Sequence, residues 1–301
     1  MRRFSNPLRS HWSMLLLALW ALPSAATDAP TEPPNDARIL FASQQNRQDD
    51  IFVMKADGTD LRRLTDHAAK DCHPDVSADG RRIVFSSERV GWWKVWTMDI
   101  DGGNLRQLTD TSNADYFPSW SPDGSEIALV SGRGGTTNIW KMKVDGTDLM
   151  NLSASQGNSN FPAWSPDGKY LAFASDRDGI WQIYVMFPDG RGVRKVTSGS
   201  GNKLEPAWFP DGRRLVFQAE RASGEYDLRT VQVDGHTEMT WITQSSADDR
   251  RPAVSPDGGW IAFESKDRSG SQIFVIQSDG ASRRQLTNKG YNYGPTWMVS
   301  R

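Results

Sequence analysis

The sequence predicts an all-β fold, a six-bladed β-propeller with four-stranded antiparallel blades, in which the C-terminal strand completes the first blade and closes the ring. Three observations lead to this prediction. An octapeptide recurs at a regular spacing, two other motifs recur in phase with it, and the chain has an incomplete repeat at each end. No stretch has a clear 3.6-residue amphipathic period, so helices are not expected.

The recurring octapeptide is FPAWSPDG at residues 161–168, and its variants are HPDVSADG, FPSWSPDG, EPAWFPDG and RPAVSPDG. Its proline recurs in steps of 44, 44, 44 and 46 residues, at Pro74, Pro118, Pro162, Pro206 and Pro252. A motif ending in Asp-Gly, such as IFVMKADG at residues 51–58, and a Leu-Thr pair, such as Leu64-Thr65, repeat in phase with it. A repeat of this length with four short strands is typical of a propeller blade.

The incomplete repeats at the two ends of the chain complement each other. The first repeat begins at Asp36 and continues with ARILFAS, without the strand that carries the octapeptide. The sequence YNYGPTWMVS at residues 291–300 resembles that missing strand. We therefore expect one propeller domain over residues 36–301, whose last strand pairs with the first blade and hides both sheet edges.

The Ser-Pro-Asp-Gly part of the octapeptide has the residues that a type I turn prefers, with a glycine where φ becomes positive. Such a turn joins two antiparallel strands. The turn explains Asp167 and its four counterparts equally well, whereas a catalytic role would require five equivalent sites around the ring. We interpret these aspartates as turn residues.

The first residues predict export. Arg2 and Arg3 precede the apolar run MLLLALWAL at residues 14–22 and the small residues of PSAA, a pattern that indicates a secretory signal peptide over residues 1–26. The apolar run is shorter than the roughly 20 residues of a membrane-spanning helix. Residues 27–35 read as a Pro-rich linker. We expect a periplasmic or secreted protein with no membrane span after cleavage.

Composition excludes some classes of function. The formal net charge of −2 does not fit a nucleic-acid-binding protein. Cys72 is the only cysteine, so no intramolecular disulfide is possible. We expect a monomer without a cofactor, and a metal ion bound in the channel stays an open alternative.

Several repeated residues are expected to serve the fold. A tryptophan recurs at one blade position and predicts packing between blades: Trp120, Trp164, Trp208 and Trp297. An arginine recurs after the second strand and is expected to pair with the turn aspartates: Arg89, Arg133, Arg177 and Arg221, with Arg268 slightly offset. Trp92 and Trp93 lie in a loop, where they form either an exposed adhesive patch or a packed blade edge.

Function is expected where the repeats differ. The tripeptides that lead into the innermost strands are DCH, DYF, SNF, KLE, DRR and NYG, and they rim one mouth of the central channel. They mix aromatic residues with both signs of charge, which suits a contact surface. The candidate binding residues are His73, Tyr116, Phe117, Asn160, Phe161, Glu205, Arg250, Arg251 and Tyr293. No catalytic residue is predicted, and neighbours in a strand point to opposite faces, so Cys72 and His73 are not expected to pair.

The repeats PxWSPDGxxIAF and IwxMxxDG…LT, behind a signal peptide, resemble the propeller of the TolB family, with WD40-like repeats, over residues 36–301. The resemblance implies a periplasmic, non-enzymatic scaffold of the Tol–Pal envelope system whose channel mouth binds the lipoprotein Pal. We expect the N-terminal α/β domain of TolB to be missing, so the TolA-contacting role of that domain is not expected here. The expected partner is a Pal-like lipoprotein, by resemblance, or a cell-wall polymer. The alternative is a channel-site lyase, hydrolase or glycan-binding propeller that uses Glu205, His73 and a metal ion.

Overall fold

The computed structural model describes residues 32–299 except Asn35, Asn46, residues 155–156 and residues 236–237. The predicted signal peptide at residues 1–26 and most of the predicted linker at residues 27–35 lie outside the described residues. The described residues form six four-stranded antiparallel sheets and contain no helix. The prediction of a six-bladed propeller is confirmed.

The strands follow one another in chain order from blade to blade. Blade 1 holds β1 (Ala37–Gln45), β2 (Gln48–Lys55) and β3 (Arg62–Arg63), and blade 2 holds β4 (Asp71–Val76), β5 (Arg82–Ser87), β6 (Lys94–Asp99) and β7 (Arg106–Gln107). Blade 3 holds β8 (Asp115–Trp120), β9 (Glu126–Ser131), β10 (Asn138–Lys143) and β11 (Met150–Asn151), and blade 4 holds β12 (Ser159–Trp164), β13 (Leu171–Ser175), β14 (Gln182–Met186) and β15 (Arg194–Lys195). Blade 5 holds β16 (Lys203–Trp208), β17 (Arg214–Glu220), β18 (Tyr226–Gln232) and β19 (Met239–Trp241), and blade 6 holds β20 (Asp248–Val254), β21 (Trp260–Asp267), β22 (Gly270–Gln277) and β23 (Arg284–Gln285).

The last strand, β24 (Tyr291–Val299), completes blade 1. It pairs antiparallel with β1, from Ala37 opposite Val299 to Gln44 opposite Tyr291. The innermost strands of neighbouring blades contact one another around the channel, and β24 contacts both β20 and β4. The ring is therefore closed as the split terminal repeats predict.

The described residues form six hydrophobic core clusters, and each cluster lies between two neighbouring blades. The repeated tryptophans belong to these interfaces. The Trp208 indole N–H donates to the carbonyl of Ala163 in the preceding blade, and Trp297 donates to Ala253 in the same way, both at 3.0 Å. The predicted packing role of these tryptophans is confirmed.

The octapeptide forms the predicted turn. In FPAWSPDG the Gly168 N–H donates to the Ser165 carbonyl at 2.9 Å, and the Ser165 hydroxyl donates to Asp167 at 2.7 Å. The Asp167 carboxylate also accepts from the Lys169 N–H at 3.1 Å. These bonds stay within the turn, so the aspartate is occupied by its own loop.

Substituting the turn glycine tests this role. Gly168 has a φ of +70°, and an added Cβ would make only ordinary contact with Pro122. Gly168→Ala should therefore destabilise the protein through its backbone alone, by about 1–2 kcal/mol in urea unfolding. Gly132→Ala is the matched control, because Gly132 has no positive φ and open space around it, and its effect should be neutral or slightly stabilising. Equal effects of the two substitutions would contradict the turn assignment.

The expected pairing of the repeated arginines with turn aspartates is wrong. Arg89 binds Asp71 at 2.6 Å and Arg133 binds Asp115 at 2.9 Å, and both aspartates are fully buried at the start of an innermost strand. The turn aspartates are held by their own loops, whereas Arg89 and Arg133 reach the innermost strand of their blade. Arg221 binds Asp227 of β18 at 3.4 Å.

Blade 5 departs from the pattern of blades 2 and 3 because Arg221 pairs with the third strand, and blades 4 and 6 depart from it in other ways. Arg177 meets no carboxylate at the equivalent place, because blade 4 has Ser159 there. Its guanidinium lies over Phe173 and Tyr184. In blade 6 the buried Asp249 binds Arg283 at 2.9 Å rather than Arg268. Arg283 directly precedes β23, the outermost strand of blade 6. Its pairing with Asp249 is therefore not predicted by the spacing of the repeated arginines.

Candidate functional site

Each innermost strand contains a β-bulge at the residue before the repeated proline. Its pairing with the second strand of the blade shifts register at this point. The φ angles of these residues lie between 50° and 60°, in His73, Phe117, Phe161, Glu205, Arg251 and Gly294. A left-handed conformation costs a residue with a Cβ about 1–2 kcal/mol, and a following proline normally keeps the preceding residue extended. Only blade 1 has the glycine that would avoid this strain.

These six residues, which we call the bulge ring, surround a cavity of about 210 Å³ at one mouth of the channel. The six prolines that follow them complete its wall. Residues that are far apart in sequence thus meet at one level of the channel. The ring divides into an aromatic half and a charged half.

The aromatic half is formed by His73, Phe117 and Phe161 of three consecutive blades. The ring centroids of His73 and Phe117 are 4.0 Å apart, and those of Phe117 and Phe161 are 4.5 Å apart. Tyr116 packs edge-on against Phe117, and Trp93 lies 6.4 Å from His73. Burial and the nearby Arg251 hold the pKa of His73 well below its usual range, so the imidazole is neutral near pH 7.

The charged half is organised around Arg251. Its Nε lies 3.2 Å from Glu205, and one of its two terminal nitrogens lies 2.9 Å from the buried Glu264. Its guanidinium carbon is 5.2 Å from the Tyr293 ring centre. Burial opposes the charged form of Arg251, yet the two carboxylates raise its pKa. Burial raises the pKa of Glu205 against the opposing effect of Arg251.

Cys72 and His73 are in direct contact, against the expectation from strand alternation. The Cys72 Sγ lies 3.2 Å from the His73 Nδ1, because the bulge at His73 breaks the alternation of side chains. Cys72 is 2% exposed, and burial raises the pKa of its thiol. A buried, protonated thiol is a poor nucleophile, so this pair does not have the properties of a catalytic dyad.

Asp75 lies on the channel wall, two residues after the bulge residue His73. It borders both the mouth cavity and a second cavity of about 300 Å³ on the side of the turns. Its carboxylate accepts hydrogen bonds from the N–H groups of Val76 at 2.9 Å and Trp120 at 2.7 Å. Burial nevertheless raises the pKa of Asp75 to about 6.

The structure brings together most of the predicted binding residues. His73, Phe117, Phe161, Glu205 and Arg251 line the cavity directly. Tyr116 and Tyr293 support them from the preceding strand position, and Asn160 occupies the same position beside Phe161.

Arg250 is not part of the cavity wall. Its side chain binds Asp248 at 2.8 Å and lies over Tyr226.

Sequence reasoning missed three contributors, namely Asp75, Trp93 as a neighbour of His73, and Glu264. Asp75 and Glu264 stand out only when the repeats are aligned. In the other blades the position of Asp75 holds Ser, Ala or Thr, and the position of Glu264 holds Ser, Val, Ala or Gln. An acidic residue at a buried repeat position was therefore the available signal.

The metal-dependent alternative relies on His73 and Glu205, which lie three blades apart on the ring. Among the described residues, no group of three or more His, Cys, Asp or Glu side chains is arranged to hold a metal ion. The same part of the chain has no helix long and apolar enough to cross a membrane.

Comparison with known proteins agrees with this architecture. Residues 21–160, 151–235 and 200–300 match the family model of the TolB beta propeller domain. The chain belongs to the TolB β-propeller family. No curated protein is significantly similar to it in sequence.

Solved structures share the fold of this TolB-family propeller. TolB from Acinetobacter baumannii has a TM-score of 0.79 and 19% identity, over 89% of this chain and 68% of that one. A putative TolB from Agrobacterium tumefaciens has a TM-score of 0.71 and 22% identity, over 87% and 92% of the two chains. Hydrazine synthase from Kuenenia stuttgartiensis has a TM-score of 0.73 and 15% identity, over 89% and 47%. At these identities the likeness concerns the fold alone.

Proposed function

We propose that this TolB-family propeller is an exported, non-enzymatic scaffold that binds a protein of the cell envelope at the bulge ring. The proposal rests on the backbone conformation of that ring. Five side chains are held at positive φ around one cavity, although glycine would fit the same bulge without strain, as in blade 1. Strain that is retained around a cavity favours a role for the side chains themselves.

The composition of the mouth supports a protein partner. Clustered aromatic rings next to an arginine are the side chains that dominate the binding energy of protein interfaces. Trp92, which is 63% exposed, directly precedes Trp93, the ring that lies beside His73. The resemblance to TolB favours a Pal-like lipoprotein in the periplasm as the partner, with a cell-wall polymer as the other candidate.

Replacing Phe117 and Phe161 together by glycine tests the proposal. Glycine keeps the bulge and relieves its strain, so the variant should fold, while the aromatic half of the mouth is lost. The purified propeller is first cross-linked in its native envelope and the bound protein is identified by mass spectrometry. We expect the double variant to bind that purified protein at least tenfold more weakly, since a lost aromatic contact of interface type is worth more than about 1.4 kcal/mol.

The matched control is the double variant Tyr170→Ala and Phe187→Ala. These two rings stack on each other with centroids 5.5 Å apart, away from the bulge ring, and Phe187 is exposed. Unchanged affinity of the control and lost affinity of the mouth variant support the proposal. Equal affinity of the mouth variant and the wild type would refute it, provided that thermal unfolding shows both to be folded.

A further inference from the structure

Glu205 borders the mouth cavity with a carboxylate of which only one oxygen is satisfied. Oε1 accepts a hydrogen bond from Arg251 Nε at 3.2 Å, whereas Oε2 is buried and has no hydrogen-bond partner in the described part of the chain. The side chain is 13% exposed. A buried carboxylate oxygen without a donor is unfavourable, so a donor from a ligand would stabilise it.

The charges around the cavity favour a cationic donor. Three carboxyl groups lie on or directly behind its wall, from Asp75, Glu205 and Glu264, against one guanidinium from Arg251. Arg251 already has a carboxylate at two of its nitrogens. His73 adds no charge because its pKa is held low by burial.

Lys203 and Arg250, which lie close in sequence to Glu205 and Arg251, do not neutralise this excess. Lys203 donates to the backbone carbonyls of residues 199, 200 and 201, and Arg250 binds Asp248. Both side chains are therefore held away from Glu205. The cavity keeps an excess of negative charge that a ligand cation would balance.

The aromatic half of the wall suits an apolar stem. Phe161 belongs to the blade next to Glu205, and its ring packs with Phe117 and His73 into a continuous aromatic surface. Such a surface packs against methylene groups and attracts a neighbouring cation through its π-electrons. The volume of about 210 Å³ is smaller than the roughly 300–1,000 Å³ of sites for drug-sized ligands. It matches a single side chain.

We propose that the mouth cavity binds a lysine side chain inserted by the protein partner. The methylene stem packs on Phe117 and Phe161, and the ammonium group donates a hydrogen bond to Glu205 Oε2. This inference rests on the proposed function, because it specifies which chemical group of the partner enters the bulge ring.

Ligand-detected NMR titration of the full chain with Nα-acetyl-lysine N-methylamide tests the inference directly. We expect weak, saturable binding, and at least tenfold weaker binding of the same compound acetylated on its ε-nitrogen. Glu205→Gln should weaken binding of the lysine amide at least tenfold, because it removes the charge and retains the size of the side chain. Glu225→Gln is the matched control, since Glu225 is half-exposed outside the cavity, and it should change affinity less than twofold.

Any of four results would overturn the inference. These are no binding of the lysine amide, equal binding of the charged and the acetylated amide, unchanged binding by Glu205→Gln, and displacement of the amide by equimolar calcium chloride, which would indicate a metal site. Phe161→Gly provides a second variant that keeps Glu205 and Arg251 intact, and it should also weaken binding. If the lysine amide fails to bind while the envelope partner still requires Phe117 and Phe161, only the lysine inference fails and the proposed function stands.

Discussion

Deleting residues 290–301 should abolish the cooperative unfolding transition of the propeller. This deletion removes β24, the strand that closes the ring. Trp297 leaves the cluster between blades 6 and 1, and Met298 leaves the cluster between blades 1 and 2. Each buried side chain contributes about 1.5–3 kcal/mol through burial alone, and the exposed edge of β1 adds unpaired backbone groups. The total is comparable to the roughly 5–15 kcal/mol that stabilises a typical domain.

A circular permutant distinguishes loss of closure from loss of a terminal segment. Val299 lies opposite Ala37 in the antiparallel pair of β24 and β1, so a two-residue Asn-Gly turn can join these ends. A chain that begins at residue 290, passes through this turn into Ala37 and ends at Lys289 keeps every strand of blade 1. We expect its urea midpoint to lie close to that of the full chain.

Urea unfolding followed by circular dichroism and by tryptophan fluorescence measures both variants. Removal of residues 300–301 alone serves as the control and should leave the midpoint unchanged. A cooperative transition near the wild-type midpoint in the deleted chain would show that closure by β24 does not hold the ring together.

The fold could be predicted from the sequence because each blade repeats the same local chemistry. The Ser165–Asp167–Gly168 turn and its counterparts mark the hairpin between the first two strands of a blade, and Trp297 marks the strand that completes blade 1. These signals are short in range, so alignment of the repeats is enough to find them. The ring then follows from the two incomplete repeats at the ends.

The site could be predicted only as a set of positions. The differing residues before the repeated prolines indicated the mouth, but the left-handed conformation of His73 could not be expected from a residue that precedes proline. For that reason the contact between Cys72 and His73 was not expected. The pairing of Arg251 with Glu264 could not be predicted either, because it joins the innermost strand β20 to a buried residue of the adjacent strand β21.

Removing Arg89 should be among the most destabilising single substitutions in the chain. Arg89 donates two hydrogen bonds to Asp71, from Nε at 3.2 Å and from a terminal nitrogen at 2.6 Å, and the Asp71 side chain is fully buried. Arg89→Met fills much of the same volume but leaves this carboxylate buried without a cation. Loss of one partner of a buried ion pair costs about 3–5 kcal/mol.

Blade 4 supplies the matched control. Arg177 packs over aromatic rings as Arg89 does, at 5.2 Å from the Phe173 ring centre, but Ser159 replaces the aspartate of blade 2. Arg177→Met should therefore lower the free energy of unfolding only slightly. It leaves no carboxylate buried without a cation, and it removes a buried guanidinium nitrogen that has no hydrogen-bond partner among the described residues. Equal destabilisation by the two substitutions would mean that packing on the rings, rather than charge pairing, explains the repeated arginine.

The double variant Arg89→Met and Asp71→Ser separates these causes within one blade. It gives blade 2 the serine that blade 4 has at this position, so neither charged group stays buried alone. We expect it to regain most of the stability lost in Arg89→Met, with a coupling free energy of about 2–4 kcal/mol by a double-mutant cycle in urea. Recovery would show that the ion pair is needed only because Asp71 is there. If the stability losses of Arg89→Met and Asp71→Ser simply add in the double variant, the buried aspartate stabilises blade 2 independently of Arg89.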